Sequence, residues 1–105
     1  MDVKRIVQEV GAYGGALVRK DGSLVNAELP SSINRGTFSI MSATIYGAAY
    51  TAQSEIFSSK IRKVVVEMDS GHWMVIYPTD DQNLLVLLVD EEGMKKLDRA
   101  PPVNE

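Results

Sequence analysis

The stretch Asn83-Leu-Leu-Val-Leu-Leu-Val89 decides how this chain folds. Every residue after Asn83 is apolar, so a strand here offers apolar side chains to both faces of its sheet. Such a strand belongs in the middle of a sheet with a packed layer on each side. The neighbouring sequence reads as a meander. Lys60–Met68 is a strand, Asp69-Ser-Gly71 a turn, His72–Tyr77 a strand, and 78–82 a polar loop. Beyond Val89, Asp90 is placed to cap a helix over Glu91–Arg99, with Glu91 and Glu92 in its electropositive first turn and Met94 and Leu97 facing inward.

The N-terminal half completes the set. Val3, Ile6, Val7 and Val10 recur at i, i+3, i+4, i+7 and predict a short amphipathic helix over 2–10. Residues 16–20 and 23–29 read as a hairpin around Asp21-Gly22, where the turn demands a positive φ that glycine tolerates. Pro30 ends the second strand, and Ser31, Ser32 and Asn34 offer caps for a long helix over 35–58. The order is α-β-β-α-β-β-β-α. The long helix covers one sheet face, and the two short terminal helices are left for the other. We expect one domain over residues 1–99 and a flexible tail over 100–105.

With 45% hydrophobic and 24% charged residues, the chain has the composition of a folded globular domain. A net charge of −3 argues against nucleic-acid binding or capture by an acidic membrane. The cations are scattered apart from a small cluster at Lys60, Arg62 and Lys63. There is no cysteine, which excludes disulfides and thiol chemistry and fits a cytoplasmic protein. The N-terminus has no apolar segment of the secretory type.

The long helix poses a question, because Gly36–Ser54 contains no charged residue. Its serines, threonines and glutamine argue against a membrane span. One stripe, Phe38, Met41, Ile45, Ala49, Ala52 and Ile56, is the expected core face. The opposite stripe collects Ile40, Ala43, Gly47, Tyr50, Thr51 and Ser54, with Thr44 beside it. Small uncharged residues make a groove for close approach of a second helix. This chain has no other long helix, so the simplest neighbour is the same helix of a second copy across a two-fold axis.

Four segments now carry a resemblance: GGALVRKDGSLVNAELP (14–30), ATIYGAA (43–49), VVVEMDSGHWMVIYP (64–78) and LLVLLVD (84–90). In this order and spacing they resemble the roadblock family of dynein light chains and their prokaryotic relatives, from Gly14 to Leu97. The resemblance implies an α+β fold with a five-stranded antiparallel sheet between the long helix and the terminal helices. It implies dimerisation through the long helix and the edge strand 60–68, adding Arg62, Val64 and Val66 to the helical residues. It also implies a regulatory or scaffolding role toward Ras-like small GTPases. Arg35, Arg62 and Arg99 are arginines that could reach a GTPase, and nothing in the sequence selects among them.

Chemistry is hard to find. His72 is the only histidine, and neighbours on a turn such as Asp69, Ser70 and His72 rarely converge into a triad. Asp80-Asp81 lacks the spacing of a calcium loop and reads as an acidic turn. Gly11, Gly14 and Gly15 lead into a strand and do not form a phosphate loop. The expectation is therefore a non-enzymatic homodimer without cofactor or metal. The alternatives are a ligand sensor with a pocket lined by Met68, Trp73 and Tyr77, or a structural assembly subunit.

Overall fold

The computed structural model describes residues 1–103. The elements are α1 (Val3–Val10), β1 (Gly14–Arg19), β2 (Leu24–Glu28), α2 (Arg35–Ile56), β3 (Val64–Glu67), β4 (Trp73–Pro78), β5 (Asn83–Val89) and α3 (Glu91–Arg99). The five strands form one antiparallel sheet in the order β2-β1-β5-β4-β3. The order and type of the elements are those expected from the sequence.

β5 holds the centre. It pairs with β1 from Gly14↔Leu88 to Arg19↔Asn83, and with β4 from Trp73↔Val89 to Pro78↔Leu84. Leu84, Val86 and Leu88 join the core under α2. Leu85, Leu87 and Val89 join the core under α1 and α3, with Val3, Val75, Tyr77 and Leu97. Alternation along one strand thus supplies both cores.

Local chemistry fixes the helix starts. Asp2, Asn34 and Asp90 each accept a hydrogen bond from a first-turn N–H: Arg5 at 3.1 Å, Thr37 at 2.9 Å and Gly93 at 2.9 Å. Gly22 carries the β1–β2 turn at φ 95°, and Asp21 accepts from the Ser23 N–H and hydroxyl at 2.9 and 2.7 Å.

Two boundaries differ from expectation. α2 ends at Ile56, and β3 begins at Val64, where a strand from Lys60 was expected. The last ladder pair is Val64↔Ile76. Continuing that register would set Arg62 opposite Pro78, which has no N–H to give to a ladder. Of the expected tail, Val103 is half-buried against the α1/α3 core, and Asn104 and Glu105 lie outside the described residues. Among the described residues, no helix is long and apolar enough to cross a membrane.

Candidate protein-interaction face

The expected core stripe of α2 is corrected by the structure. Phe38 and Ile45 do pack against the core, but Met41 is 57% and Ile56 66% exposed, and Ala52 is exposed as well. The buried positions are Ser39, Ser42, Ala43 and Tyr46, which share the i, i+3, i+4, i+7 spacing. Two serines enter the core because their hydroxyls are satisfied there. Ser42 Oγ donates to the Phe38 carbonyl at 2.7 Å, and Ser39 Oγ donates to the Gly22 carbonyl of the β1–β2 turn. Small side chains also let α2 lie close over β1 and β2, the strands it contacts most.

The outer face is what remains. Ile40, Met41, Thr44, Gly47, Ala48, Tyr50, Thr51 and Ser54 are exposed. Ala43, grouped with them in the sequence reading, is instead core. The hydroxyls of this face turn back on the helix: Thr44 Oγ1 donates to Ile40 O at 2.8 Å, Thr51 Oγ1 to Gly47 O at 3.0 Å, and Ser54 Oγ to Thr51 O at 2.9 Å. Their polar capacity is therefore largely met before any partner arrives, and the face is effectively apolar. At its middle, a Cβ added to Gly47 would meet nothing within 4 Å. Ile56 and the adjoining Phe57, each 66% exposed, add apolar surface at the C-terminal end of the helix, beyond the exposed Glu55. Exposed apolar surface of this kind marks interaction sites.

β3 is an edge of the sheet. Val64 and Val66 turn toward the α2 side and are half-buried, whereas Arg62 lies just before the strand. A four-residue edge strand leaves one row of backbone groups open to pairing and little length for indiscriminate association. Apart from core Ala43, the interface residues expected from the sequence lie on this helical face and at this edge, and the sheet's other edge is β2. Met41 and Ala48 also belong to the helical face and were not expected on it. The run Ser39, Ser42, Ala43, Tyr46 was the available signal, a helical stripe that reads as outward only if serine is assumed to seek water.

Elsewhere, the structure does bring Ser70 and His72 together, with Ser70 Oγ 2.8 Å from His72 Nδ1, contrary to the expectation that turn neighbours diverge. The pair sits on an exposed turn, and the imidazole lies 4.9 Å from the ring of exposed Tyr13. Asp80 is an acidic turn: hydrogen bonds from Asn83, then from Gln82, hold its carboxyl below the ordinary value of 3.8. Among the described residues, no group of three or more His, Asp or Glu side chains is placed to hold a metal. Trp73 and Tyr77 face the α1/α3 core while Met68 is exposed, and Tyr77 lines hollows with residues 59–63 instead.

This arrangement has known counterparts. The family model for the Roadblock/LC7 domain matches residues 1–93. The chain belongs to the Roadblock/LC7 family. Among solved structures, MglB of Myxococcus xanthus is similar with a TM-score of 0.79 at 16% identity, over 91% of this chain and 82% of that one. A Roadblock/LC7 domain from Streptomyces avermitilis is similar at 0.78 and 16% identity, over 92% of each chain. Among curated relatives, the uncharacterized proteins MJ0714 and MJ0310 of Methanocaldococcus jannaschii are 28% and 26% identical over 80 residues, 76% of this chain. The match spans 66% of MJ0714, just under two thirds of its length, and 68% of MJ0310.

Proposed function

We propose that this Roadblock/LC7 chain works as a homodimer, with two α2 faces packed about a two-fold axis and the β3 edges drawn together. In this reading the interface comprises Ile40, Thr44, Gly47, Tyr50, Thr51 and Ser54 on the helix, with Arg62, Val64 and Val66 at the edge; Met41 joins them and Ala43 supports them from the core. The dimer serves as a cytoplasmic platform that binds a Ras-like small GTPase and modulates its nucleotide cycle or its localisation. It acts by holding switch segments of the GTPase in one conformation.

The observation that carries the reading is the uncharged outer face of α2, with its hydroxyls turned back on the helix and Gly47 open. Family membership supports it through what roadblock proteins do toward small GTPases. One similar solved structure is described as MglB with a tetrameric arrangement, so self-association occurs on this fold.

Light scattering across a wide dilution range tests the first half. The expected result is the mass of two chains, persisting at low concentration; a single-chain mass throughout would falsify the pairing. The second half is tested with a Ras-like GTPase from the same genome, loaded in turn with GDP and with a non-hydrolysable GTP analogue. Binding that depends on the nucleotide supports the platform reading, and equal or absent binding in both states removes it.

A further inference from the structure

We propose that the β3 edge adds to the β3 edge of a second copy in one register, with Val65 opposite the partner's Val65, and that Lys63 and Glu67 select this register by pairing across the seam. The proposal rests on the dimer reading above and names the contacts that fix its sheet-to-sheet half.

The open backbone groups limit how two such edges can meet. The Met68 N–H donates to the His72 carbonyl at 2.8 Å, and the β3–β4 ladder runs from Glu67↔Trp73 to Val64↔Ile76. Hydrogen-bonded and non-hydrogen-bonded pairs alternate along an antiparallel ladder. Val64 and Val66 therefore direct their N–H and C=O to β4, and Val65 and Glu67 direct theirs to the free edge. The side chains alternate as well. Val64 and Val66 pack on the α2 side. Val65 and Glu67 lie opposite Val75 and Trp73 of the α1/α3 core, and Lys63 reaches Asp98 of α3, so these three share the other side. A second β3 arriving antiparallel across a two-fold axis has to bond the open groups and keep each side of the sheet continuous. Only registers that set odd-numbered residues opposite odd-numbered residues do both.

Charge and hydropathy choose among these registers. With Val65 opposite the partner's Val65, Lys63 falls opposite the partner's Glu67, and Glu67 opposite the partner's Lys63. On the α2 side, Val64 then meets the partner's Val66 and extends that core across the seam. Sliding the strands by two residues sets Val65 opposite the partner's Glu67 in one direction and opposite the partner's Lys63 in the other. Sliding by four sets Glu67 against the partner's Glu67, or Lys63 against the partner's Lys63. Opposite charges across a strand pair stabilise it and like charges destabilise it, so one register is favoured and its neighbours are penalised. The groups are placed for it. Val65 is 41% exposed on a single chain, and Glu67 is exposed and makes no ion pair among the described residues. Lys63 keeps its 3.3 Å link to Asp98, because an ammonium carries three donors and the partner's Glu67 needs one of the others.

The test is an isotope-filtered NOE experiment on dimers mixed from labelled and unlabelled chains, with the mass followed by light scattering. The expected signal is an Hα–Hα contact between Val64 and the partner's Val66, which a non-hydrogen-bonded pair brings close. In a sample of two-chain mass, contact of Val64 with the partner's Val64, contact of Val66 with the partner's Val66, or no inter-chain contact along β3 overturns the register and leaves the dimer standing. A single-chain mass removes the dimer reading and the register with it. A double-mutant cycle tests the selecting pair. Lys63→Gln and Glu67→Gln should each raise the dimer Kd about threefold, and the double variant also about threefold instead of about ninefold. Loss of the Lys63–Asp98 link is common to both chains that carry Lys63→Gln, so it cancels in the cycle. Additive losses overturn the pairing of Lys63 with the partner's Glu67.

Discussion

The two sides of α2 invert the usual relation between polarity and burial. The inner side carries Ser39, Ser42, Ala43 and Tyr46, and the outer side carries Ile40, Met41, Gly47 and Ala48. Each inward serine hydroxyl has a carbonyl to bond, so its burial leaves no unmet polar group. Outward Thr44 and Thr51 likewise bond helix carbonyls, so their exposure offers water little. Side-chain size and local hydrogen bonding, more than hydropathy, decide which side faces in. A single chain therefore leaves an uncharged helical side in water, which a second copy would cover in the proposed dimer.

The largest effect should come from placing charge on the outer side. Gly47→Arg adds a cation where a Cβ meets open space, so the monomer keeps its helical circular dichroism. In the dimer that cation would be buried without a partner, which raises Kd about a hundredfold or more. Light scattering reads the change as a fall from two-chain to one-chain mass. A variant that stays dimeric with an unchanged melting curve would place the interface elsewhere.

The inner side gives the next largest effect, with a direction that hydropathy alone would reverse. Ser42 is fully buried and bonded to Phe38 O. Ser42→Leu makes this position more apolar, yet it overfills a close helix–sheet contact and should destabilise the chain by ~1–3 kcal/mol. Met41→Gln, one residue away on the outer side, should change monomer stability by less than about 0.5 kcal/mol. Urea unfolding of both variants, made in the Gly47→Arg background to hold the chain monomeric, separates the two positions. Equal losses would mean that the sides are wrongly assigned.

The same contrast explains what was legible in the sequence. α1 and α3 are short and strongly amphipathic, so Val3, Val7, Met94 and Leu97 gave their inward sides directly. Asn83–Val89 fixed the layers, because an apolar strand of that kind needs cover on both faces. α2 was legible as a helix and as an uncharged element. Its rotational phase was not, because hydrophobicity is spread almost evenly around it. Placing Met41 and Ile56 inward followed hydropathy, and the bond that decides the matter, Ser39 to Gly22, joins segments distant in sequence. The early end of the β3 ladder was hidden for a related reason. It depends on Pro78 coming opposite Arg62, a register that only the folded sheet defines.

A smaller effect sharpens the comparison at one position. Glycine inside a helix is disfavoured relative to alanine, and Gly47 has free space around it. Gly47→Ala should therefore stabilise the monomeric domain by about 0.5–1 kcal/mol. If a second helix packs closely over this position, the same methyl weakens the dimer, so stability and association move in opposite directions. Measuring both in one variant distinguishes a close helix–helix contact from a merely bland surface, for which only the stability changes.

The smallest effect concerns acid, and it reaches the inner side alone. Hydrogen bonds from Ser23, hydroxyl first and backbone N–H second, hold the Asp21 carboxyl below its ordinary value of 3.8. A carboxylate depressed in the folded state stabilises that state above its unfolded value, and this contribution disappears as pH falls through the lower folded value. Asp21 sets the turn whose Gly22 carbonyl accepts from Ser39, so protonating it loosens the anchor of the inner side. The outer side from Ile40 to Ser54 carries no carboxylate, histidine, lysine or arginine and has nothing to lose over that range. In an acid titration followed by amide NMR below the ordinary carboxylate value, Gly22, Ser23 and Ser39 should shift before Thr44, Gly47 and Thr51. Asp21→Asn should abolish that early phase. Simultaneous shifts on both sides would mean that α2 loosens as a unit, and that Ser39 is not where the turn holds it.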